Sequence, residues 1–518
     1  MTDKNEHSKD AHNNPHNKGQ HSQKEPEIKD ESQLIKDSKR KLDELRSLGI
    51  EPYPYSYDAK DKAERIHEKH KKLDKEEKTD DNVSVAGRIV SMRNMGKVAF
   101  ANLQDGTGTI QLYLREDNLD KEQFKLLKLF DLGDFIGAKG IVFRTKMGEI
   151  TVEVHNFTLL TKSLRPLPEK YHGLKDTELR YRQRYLDLIT NPESRAVFLA
   201  RSKIISAIRE FMDQQGFMEV ETPTLQAVYG GANAKPFITK HNALNTDFYL
   251  RISPELYLKR LIVGGFERVY ELCKDFRNEG IDTSHNPEFT MMEFYMAYAD
   301  YNDMMKFTEE LFNYVARKVV GKTKITYQGK EIDLKAPWPR LSMKDAIKKY
   351  GNIDVDELDN KDIEEIVEKH NIKYEGELSR GKAIQLIFEE LCEDKLFEPV
   401  FITDHPKEST PLCKKHRETP ELVERIEPYI ACMELGNGYS ELNDPVEQKE
   451  KLLEQARLKN KGESDAHPMD DDFVRAIEYG MPPTGGMGIG IDRMIMILTD
   501  QASIRDVILF PTLKPEKE

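Results

Sequence analysis

The order of apolar and polar positions predicts a polar start, a helical segment, a strand-rich segment and a long mixed region. Residues 1–30 are almost devoid of apolar side chains, and burial cannot then offset the entropy of ordering, so we predict a disordered polar tail. From Leu34 to Leu48, apolar residues recur at helical spacing, which predicts an amphipathic helix. A second short helix is expected around Ile66, so residues 31–80 form the predicted helical segment.

Basic side chains cluster along the first of these helices, at Lys36, Lys39, Arg40 and Lys41. A basic helix beside a nucleic-acid module could add phosphate contacts. A run of charge is equally the ordinary solvated face of a helix. Both interpretations stay open, and the pattern favours the solvated face.

Residues 81–162 change from helical spacing to alternation, with glycine-containing turns between runs such as VSVAGRIV and TIQLYL. About five short strands fit this segment, with one helical run near residues 120–130. Short strands in this number are typical of the oligonucleotide-binding (OB) β-barrel. We therefore predict an OB barrel over 81–162.

The rest of the chain predicts an α+β domain. A proline-marked, arginine-rich stretch, residues 163–185, is expected to be a linker. From 186 to 518, strand-like and helical pieces follow one another without regular alternation, which favours an antiparallel sheet flanked by helices over a doubly wound parallel sheet. Neither a GxGxxG turn after a strand nor a GxxxxGK[ST] loop occurs, so the two common nucleotide-binding loops are excluded.

Composition narrows the class of protein further. The chain has 518 residues, 38% of them hydrophobic, and its four cysteines are scattered without a CxxC pair, so neither a zinc knuckle nor a disulfide framework is indicated. No apolar run has the length of a membrane helix and no secretory signal is visible, so we expect a cytoplasmic protein without a membrane partner. The net charge of -13 argues against indiscriminate nucleic-acid binding but permits a local basic surface.

Candidate chemistry concentrates in one segment, CKDFRNEGIDTSHNPEFTMMEFYM, residues 273–296, which is predicted as a hairpin with an extended loop. Strand alternation groups its side chains on common faces: Arg277 with Glu279, and Phe289 with Met291, Glu293 and Tyr295. Ion pairing within the sheet would explain any one of these residues, but not all of them together. Charges of both signs beside aromatic rings suit a ligand with a phosphate chain, a planar base and an ammonium group.

Several segments resemble the motifs of class II aminoacyl-tRNA synthetases, in the form found in the lysine-specific members. FRNEG with HNPEFTMMEFYMAYADY resembles motif 2, GFMEVETPTL with Pro223 resembles motif 1 at the dimer interface, and GGMGIGIDRMIMIL with Arg493 resembles motif 3. With RYRQRYLDLI and MELGNGYSELNDP, the resemblance extends from residue 34 to 513. It implies an anticodon-binding OB barrel, a class II catalytic domain, a homodimer, and tRNA(Lys), ATP and L-lysine as ligands.

The activity implied by the resemblance is activation of L-lysine by ATP to lysyl-adenylate, followed by transfer to the 3′ end of tRNA(Lys). The first step is an in-line displacement at the α-phosphate, which depends on positioning and charge stabilisation. We expect Arg277 to contact both the α-phosphate and the amino-acid carboxylate, because a guanidinium can bridge two anions. Arg277 and Arg493 are the catalytic candidates.

For the nucleotide, the resemblance implies that adenine stacks between Phe289 and Arg493. Glu279 would fix the adenine edge, and His285 would contact the outer phosphates. Glycines around Arg493 would let the backbone come close to the nucleotide, although close packing of strand on helix explains them as well.

For Mg²⁺, the resemblance implies Glu427 and Glu434. Magnesium prefers oxygen ligands and usually binds through phosphates and one or two carboxylates. Glu434 lies in the well-matched MELGNGYSELND, whereas Pro428 beside Glu427 restricts strand pairing there. Each carboxylate alone would more often be a solvated surface group.

A lysine pocket should be long, walled by aromatic residues and acidic at its end, because a buried ammonium without a carboxylate is costly. The resemblance gives these contacts: Gly231, Glu255, Arg277, Glu293, Tyr295, Asn437, Tyr439 and Glu441. Glu255 and the backbone of Gly231 would hold the α-amino group, and Glu441 with Tyr295 the ε-ammonium. The related aspartyl and asparaginyl enzymes would want cations there, and the three glutamates argue against both.

Within the barrel, the resemblance assigns Arg93, Phe100 and Gln111 to the central anticodon uridine. An aromatic face stacks a splayed base, an amide bonds its Watson–Crick edge, and an arginine reaches the edge or a phosphate. Alternation alone would make Phe100 an inward-facing core residue, and the resemblance reverses that preference.

Two other functions stay open on the sequence. One is a synthetase for another amino acid, or a related ligase that passes lysine to a protein, although the barrel argues against the protein ligase. The other is an RNA-binding protein with an inactive synthetase domain, which intact Arg277, Glu279, Glu434 and Arg493 argue against.

Overall fold

The computed structural model describes residues 32–168, 174, 176–374, 376–460 and 467–516. The chain divides into two compact units, Met1–Glu169 and Lys170–Glu518. The predicted tail, residues 1–30, lies outside the described residues, as does part of the predicted linker. In the described ranges, no helix combines the length and apolarity needed to cross a membrane.

Among its described residues, the first unit contains five strands and three α-helices. Its helices are α1 (Gln33–Ser47), α2 (Ala63–His70) and α3 (Lys121–Leu126). Its strands are β1 (Lys78–Asn94), β2 (Val98–Gln104), β3 (Thr109–Arg115), β4 (Phe135–Arg144) and β5 (Ile150–Thr161). The pairings close into a barrel in the order β1–β2–β3–β5–β4, in which only the β3–β5 pair of these five strands is parallel.

The barrel follows from the alternation of its strands, which β2 makes plain. Ala99, Ala101 and Leu103 are buried and pack with Leu112 of β3 in the barrel core. Phe100 lies between two buried alanines and is half-exposed, so its ring is on the outer face of the barrel. The inward orientation favoured by alternation alone is therefore wrong, because the small alanines occupy the inward positions.

The second unit contains a nine-stranded sheet with helices packed against it. Its helices are α4 (Thr177–Arg182), α5 (Arg184–Thr190), α6 (Pro192–Gln214), α7 (Glu255–Val263), α8 (Tyr301–Val319), α9 (Met343–Ala346), α10 (Asn360–Lys369), α11 (Arg380–Leu391), α12 (Pro445–Asn460), α13 (Asp471–Glu478), α14 (Ile491–Leu498) and α15 (Ile504–Val507). Its strands are β6 (Met218–Glu219), β7 (Leu225–Gln226), β8 (Ile238–His241), β9 (Thr246–Leu250), β10 (Arg268–Phe276), β11 (Glu288–Ala297), β12 (Lys324–Tyr327), β13 (Lys330–Asp333), β14 (Arg340–Ser342), β15 (Val400–Thr403), β16 (His405–Pro406), β17 (Leu422–Val423), β18 (Arg425–Ile430), β19 (Met433–Glu434), β20 (Gly436–Ser440) and β21 (Thr484–Gly490).

The large sheet is mixed, which corrects the prediction of an antiparallel sheet. Its order is β14–β15–β18–β20–β21–β11–β10–β6, with β19 paired to β18. The inner pairings are antiparallel, but β14 with β15 and β6 with β10 are parallel. Parallel neighbours require a long crossover. The connections contain helices, α7 between β6 and β10 and α9 to α11 between β14 and β15, so both edges can be parallel.

The prediction of a linker over 163–185 is wrong for its last part, because α4 and the start of α5 lie within it. Arg184 is buried, ion-pairs with Asp187 at 2.7 Å, and donates hydrogen bonds to carbonyl groups of the C-terminal segment 505–509. This guanidinium ties the beginning of the second unit to its end. The stretch is therefore part of the folded unit.

Helices α6, α8 and α14 supply much of the apolar core behind the sheet. Helix α8 begins with a capping box formed by Asp300 and Asp303, and it buries Phe307, Leu311 and Phe312 on one face. The core fixes β11, β20 and β21 from behind. Their opposite face is left for a ligand.

Gly140 offers a test of the barrel. It lies in β4 opposite Val154 of β5, and a Cβ there would overlap the carbonyl oxygen of Glu153. Because backbone cannot yield without breaking the pairing, Gly140→Ala should lower the free energy of unfolding by about 1–3 kcal/mol in urea titrations. Gly108→Ala is the matched control, since its Cβ would lie 3.9 Å from Ala63. Equal stability of the two variants would contradict this packing.

Candidate active site

A cavity of about 330 Å³ opens on the free face of the large sheet. Strand β11 directs Phe289, Met291, Glu293 and Tyr295 into it, as strand alternation predicts. The cavity wall contains these residues named from the sequence: Gly231, Glu255, Arg277, Glu279, His285, Phe289, Glu293, Tyr295, Glu434, Asn437, Tyr439 and Arg493. Segments far apart in the sequence therefore converge on one site.

The glycines of β21 make room for side chains of the cavity. Gly486 pairs with Tyr295 across the sheet. A Cβ on Gly486 would overlap the carboxylate of Glu441 and lie 2.5 Å from the Tyr295 ring. At Gly488, a Cβ would meet Met291 at 3.2 Å. At these two positions, the space is used by neighbouring side chains.

Arg277 stands at the end of β10, where the hairpin loop begins. Its amide donates to the carbonyl of Pro287 at 2.9 Å, so the hairpin pairing continues one residue past the strand. Its guanidinium carbon lies 5.1 Å from the ring centre of Phe289. The buried Nε makes no hydrogen bond to any residue the structure describes. An unpartnered buried donor is costly, so this guanidinium is suited to an anionic ligand.

Arg493 is held at the other side of the cavity by backbone and loop contacts. Its Nη1 donates to the carbonyl oxygen of Glu434, and its Nη2 lies 3.4 Å from Nε2 of His285. His285 in turn has Nδ1 within 2.9 Å of the Asp282 carboxylate. Arg493 and the histidine of the hairpin loop thus border the same space.

Glu293 forms the acidic floor of the cavity. It accepts hydrogen bonds from the hydroxyls of Ser253 at 2.7 Å and Tyr295 at 3.1 Å. Burial, followed by the negative charges of Asp275 and Glu255, raises the pKa of Glu293 well above its usual value. The carboxyl group therefore favours its neutral form until a cation approaches.

Glu255 and Glu441 share the ammonium of Lys259. The Nζ of Lys259 lies 2.6 Å from Oε1 of Glu255 and 2.5 Å from Oε2 of Glu441, and all three side chains are buried. Glu441 lies behind Tyr295 and does not line the cavity itself. Burial raises the pKa of Glu441 to about 8 against the pull of Lys259. The charge of Glu255 also acts on Glu293. Lys259 contacts two of these three carboxyl groups, so the three cannot all ionise without a further cation.

Glu427 is buried and Glu434 is half-buried, and the charge of Glu427 acts on Glu434. Burial, and next the charge of Glu427, raises the pKa of Glu434. Glu427 is held by the guanidinium of Arg425 at 2.5 Å. No cluster of three or more His, Cys, Asp or Glu side chains able to hold a metal occurs in the part of the chain that the structure describes. The pair suits a cation that arrives with oxygen ligands of its own.

Several site residues were not predicted from the sequence, and three of them have a clear role in the geometry of the site. Arg425 lines the cavity and donates to Asn437 at 3.2 Å, and Asp492 lines it next to Arg493. Lys259 was missed although it lies four residues after Glu255, the spacing that puts two side chains on one helix face. The four-residue spacing from Glu255 could have identified Lys259. Arg425 lies two residues before Glu427, and strand alternation could have placed it on the same face.

The barrel presents Arg93, Phe100 and Gln111 on three adjacent strands. Arg93 is exposed and pairs with Phe100 across β1 and β2. The Phe100 ring lies 4.9 Å from the ring of Tyr113, and Oε1 of Gln111 accepts a hydrogen bond from the Thr151 hydroxyl at 2.9 Å. This outer face offers an aromatic surface, an amide and a cation, groups that can bind an unstacked base.

Comparisons with known proteins cover both units. Residues 176–514 match a family model described as tRNA synthetases class II (D, K and N), and residues 83–160 match one described as OB-fold nucleic acid binding domain. A lysine–tRNA ligase of Pelotomaculum thermopropionicum is 53% identical, over 94% of this chain and 96% of its own. Lysine–tRNA ligases of Thermoanaerobacter pseudethanolicus and Methanoculleus marisnigri are each 52% identical, over 94% and 92% of this chain and 97% and 94% of their own.

Arg201 connects α6 to the cavity and provides a test of the site's framework. It donates to Asp492 at 2.5 Å and to the Thr290 hydroxyl at 2.9 Å, and Asp492 also accepts from the Thr290 amide. Arg201→Met leaves the buried Asp492 without its cation, so we expect a loss of about 3–5 kcal/mol in unfolding free energy by denaturant titration.

The matched control is Arg209→Met on the same helix. Arg209 pairs with Glu219 at 2.9 Å, and both side chains are at least one-third exposed. An exposed pair contributes about 1 kcal/mol or less. Similar losses in the two variants would contradict a framework role for Arg201.

Proposed function

This chain belongs to the lysine–tRNA ligase family of class II tRNA synthetases, and from that membership we infer that it activates L-lysine with ATP and transfers the lysyl group to the 3′ end of tRNA(Lys). One observation carries the choice of lysine: the acidic cluster of Glu255, Glu293 and Glu441, which has one fixed ammonium. Lysine brings an α-ammonium and an ε-ammonium to it. Aspartate brings one ammonium and a further carboxylate, which the cluster would repel.

In the activation step, a carboxylate oxygen of lysine attacks the α-phosphorus of ATP, and pyrophosphate leaves. We propose that Arg277 binds both anions through its fork of donors, which offsets their mutual repulsion and orients them for in-line attack. Its buried, unpartnered Nε among the described residues supports this role. A 3′-terminal hydroxyl of the tRNA then attacks the carbonyl carbon of lysyl-adenylate, and AMP leaves.

We propose that adenine stacks between Phe289 and Arg493, with Glu279 at the adenine edge and His285 at the outer phosphates. The tether from Arg493 to the Glu434 backbone supports a fixed stacking surface. The 3.4 Å approach of Arg493 to His285 supports one common binding region for phosphate and base.

For the amino acid, we propose that Glu255 and the backbone of Gly231 bind the α-ammonium. Gly231 has a φ of +91°, and a Cβ there would meet the Ser253 hydroxyl at 2.6 Å, so the glycine permits this backbone approach. The ε-ammonium would meet Tyr295 at the far end, and Glu441, which lies behind that ring, would hold it through its charge; Glu293 would lie between the two ammonium groups. Asn437 and Tyr439 would form the side wall.

Mg²⁺ would enter with ATP, and Glu434 with Glu427 would hold it. When bound, it would neutralise phosphate charge as pyrophosphate departs. Glu427 would keep Arg425 as its second partner. The repulsion between the two carboxylates supports the binding of a cation by this pair.

We also propose a homodimer and a cytoplasmic setting. The motif 1 segment, residues 216–225, follows α6, contains β6 and ends at β7. Met218 and Leu225 in this segment and Leu199 in α6 are exposed apolar side chains. Apolar groups gathered on one exposed segment suit a subunit interface. The cytoplasmic setting follows from tRNA charging.

The function is tested by pyrophosphate exchange into ATP with each of the twenty amino acids in turn. We expect exchange with lysine and at most trace exchange with aspartate or asparagine. Exchange with a different amino acid alone would replace the substrate assignment. Binding of tRNA without exchange would instead indicate an inactive synthetase domain.

Phe100 tests the anticodon assignment separately from activation. In Phe100→Ala, loss of base stacking should lower kcat/KM for tRNA(Lys) in aminoacylation by about tenfold, since a stacked base contributes about 1–3 kcal/mol. Lysine-dependent exchange should not change, because that step needs no tRNA. Tyr55→Ala, at an exposed tyrosine of the same unit, is the control. An unchanged kcat/KM for tRNA(Lys) in Phe100→Ala would contradict the assignment of Phe100 to anticodon binding.

A further inference from the structure

The ammonium of Lys259 lies directly behind the acidic end of the cavity. Lys259 projects from the same face of α7 as Glu255 and contacts Glu255 and Glu441. Its side chain is 0% exposed, and it is not part of the cavity wall. Lys259 therefore acts on the pocket through its carboxylates, and not by contact with a ligand.

The net charge at the acidic end of the pocket is the sum of its carboxylates and the Lys259 ammonium. Glu255, Glu293 and Glu441, all buried, carry −3 when ionised, and Lys259 carries +1, so −3 + 1 leaves −2. A diamino acid with both amino groups protonated supplies +2. The pocket and such a substrate are complementary in charge only when Lys259 is present.

Two further buried acids near the pocket, Glu271 and Asp275, share the guanidinium of Arg251. Glu271 ion-pairs with Arg251 at 2.6 Å. Asp275 lies 3.5 Å from the same guanidinium, and the charge of Arg277 also acts on it. These acids therefore leave the count at the far end of the pocket unchanged.

We propose that Lys259 is a specificity-determining residue, a fixed cation that leaves the amino-acid pocket two positive charges short and so fits it to a substrate with two ammonium groups. The inference rests on the proposed activation of lysine. A monoamino acid would leave one buried carboxylate without a cation, which is strongly unfavourable. Lys259 also fixes the orientation of Glu255 and Glu441, so it is a positioning residue for both ends of the substrate.

The pH dependence of lysine use separates charge from packing. Substrate ammonium groups need ionised carboxylates, and Lys259 lowers the pKa of Glu255 and of Glu441 against the effect of burial. Loss of the cation raises both pKa values further. The ionised pocket then forms only at higher pH. The increase of kcat/KM for lysine with pH must therefore have its midpoint at a higher pH than in the wild type.

The pH dependence of kcat/KM for lysine could also reflect other titratable groups around the cluster, so their pKa values matter. Burial lowers the pKa of His467 to about 4 and raises the pKa values of Cys413 and Tyr295 well above their usual values, so these groups do not titrate between about pH 6 and 9. Asp275 does titrate there, because burial raises its pKa to about 7, but Lys259 is not among the groups that shift it. Burial also raises the pKa of Glu293 well above its usual value, but Lys259 is not among the groups that shift it. A change in the midpoint upon substitution of Lys259 therefore reports Glu255 and Glu441.

The experiment measures lysine-dependent pyrophosphate exchange of the full chain between about pH 6 and 9. In Lys259→Met, we expect the KM for lysine at pH 7 to rise about tenfold or more, the KM for ATP to change less than about twofold, and the midpoint of kcat/KM for lysine to move up by about one pH unit. Lys259→Gln keeps a hydrogen-bond donor without the charge and should behave like Lys259→Met. Lys259→Gln also provides the test of the proposal if Lys259→Met does not fold. Lys259→Arg should keep the wild-type midpoint.

The matched control is Arg260→Met, which removes the next residue of α7, paired with Asp470 at 2.8 Å and directed away from the cluster. Its midpoint should equal that of the wild type. Wild-type kinetics in Lys259→Gln, or equal rises in the KM values for lysine and ATP, would overturn the inference and leave the proposed function standing. A wild-type chain without lysine-dependent exchange would overturn both.

Discussion

A buried deficit of positive charge at the end of the cavity is the constraint on which the catalytic unit depends. Glu255, Glu293 and Glu441 are taken out of water, and Lys259 compensates only part of their charge. Such a cluster is costly unless hydrogen bonds and rigid backbone hold it in place. The strand β11 and the helix α7 supply that rigidity. The pocket thus keeps its acidic side chains oriented toward a cation.

Strand β11 has groups suited to a cation near its end and groups suited to an anion near its start. Phe289 and Arg277 lie near the start of β11, and Tyr295 lies six residues further on, which corresponds to about 20 Å along a strand. Anion-binding and cation-binding groups are therefore set apart on one rigid element. A ligand with phosphates at one end and an ammonium at the other can lie along β11.

Much of the site was predictable because strand alternation is fixed by backbone geometry. It placed Phe289, Glu293 and Tyr295 on one face, and the structure agrees. The mixed edges of the sheet were not predictable, since β6 has two residues and no periodicity. The link from Arg201 to Asp492 joins positions nearly three hundred residues apart, and no local pattern marks such a partner. For Phe100, both faces of β2 carry apolar residues, so alternation alone did not identify the face directed into the barrel.

The missing side chain at Gly486 determines how far the pocket extends. The Tyr295 ring and the Glu441 carboxylate occupy the volume that a Cβ would take. One added methyl group would displace both groups without changing the charge of the pocket. The room available to these two side chains is therefore set by a backbone position as well as by their charges.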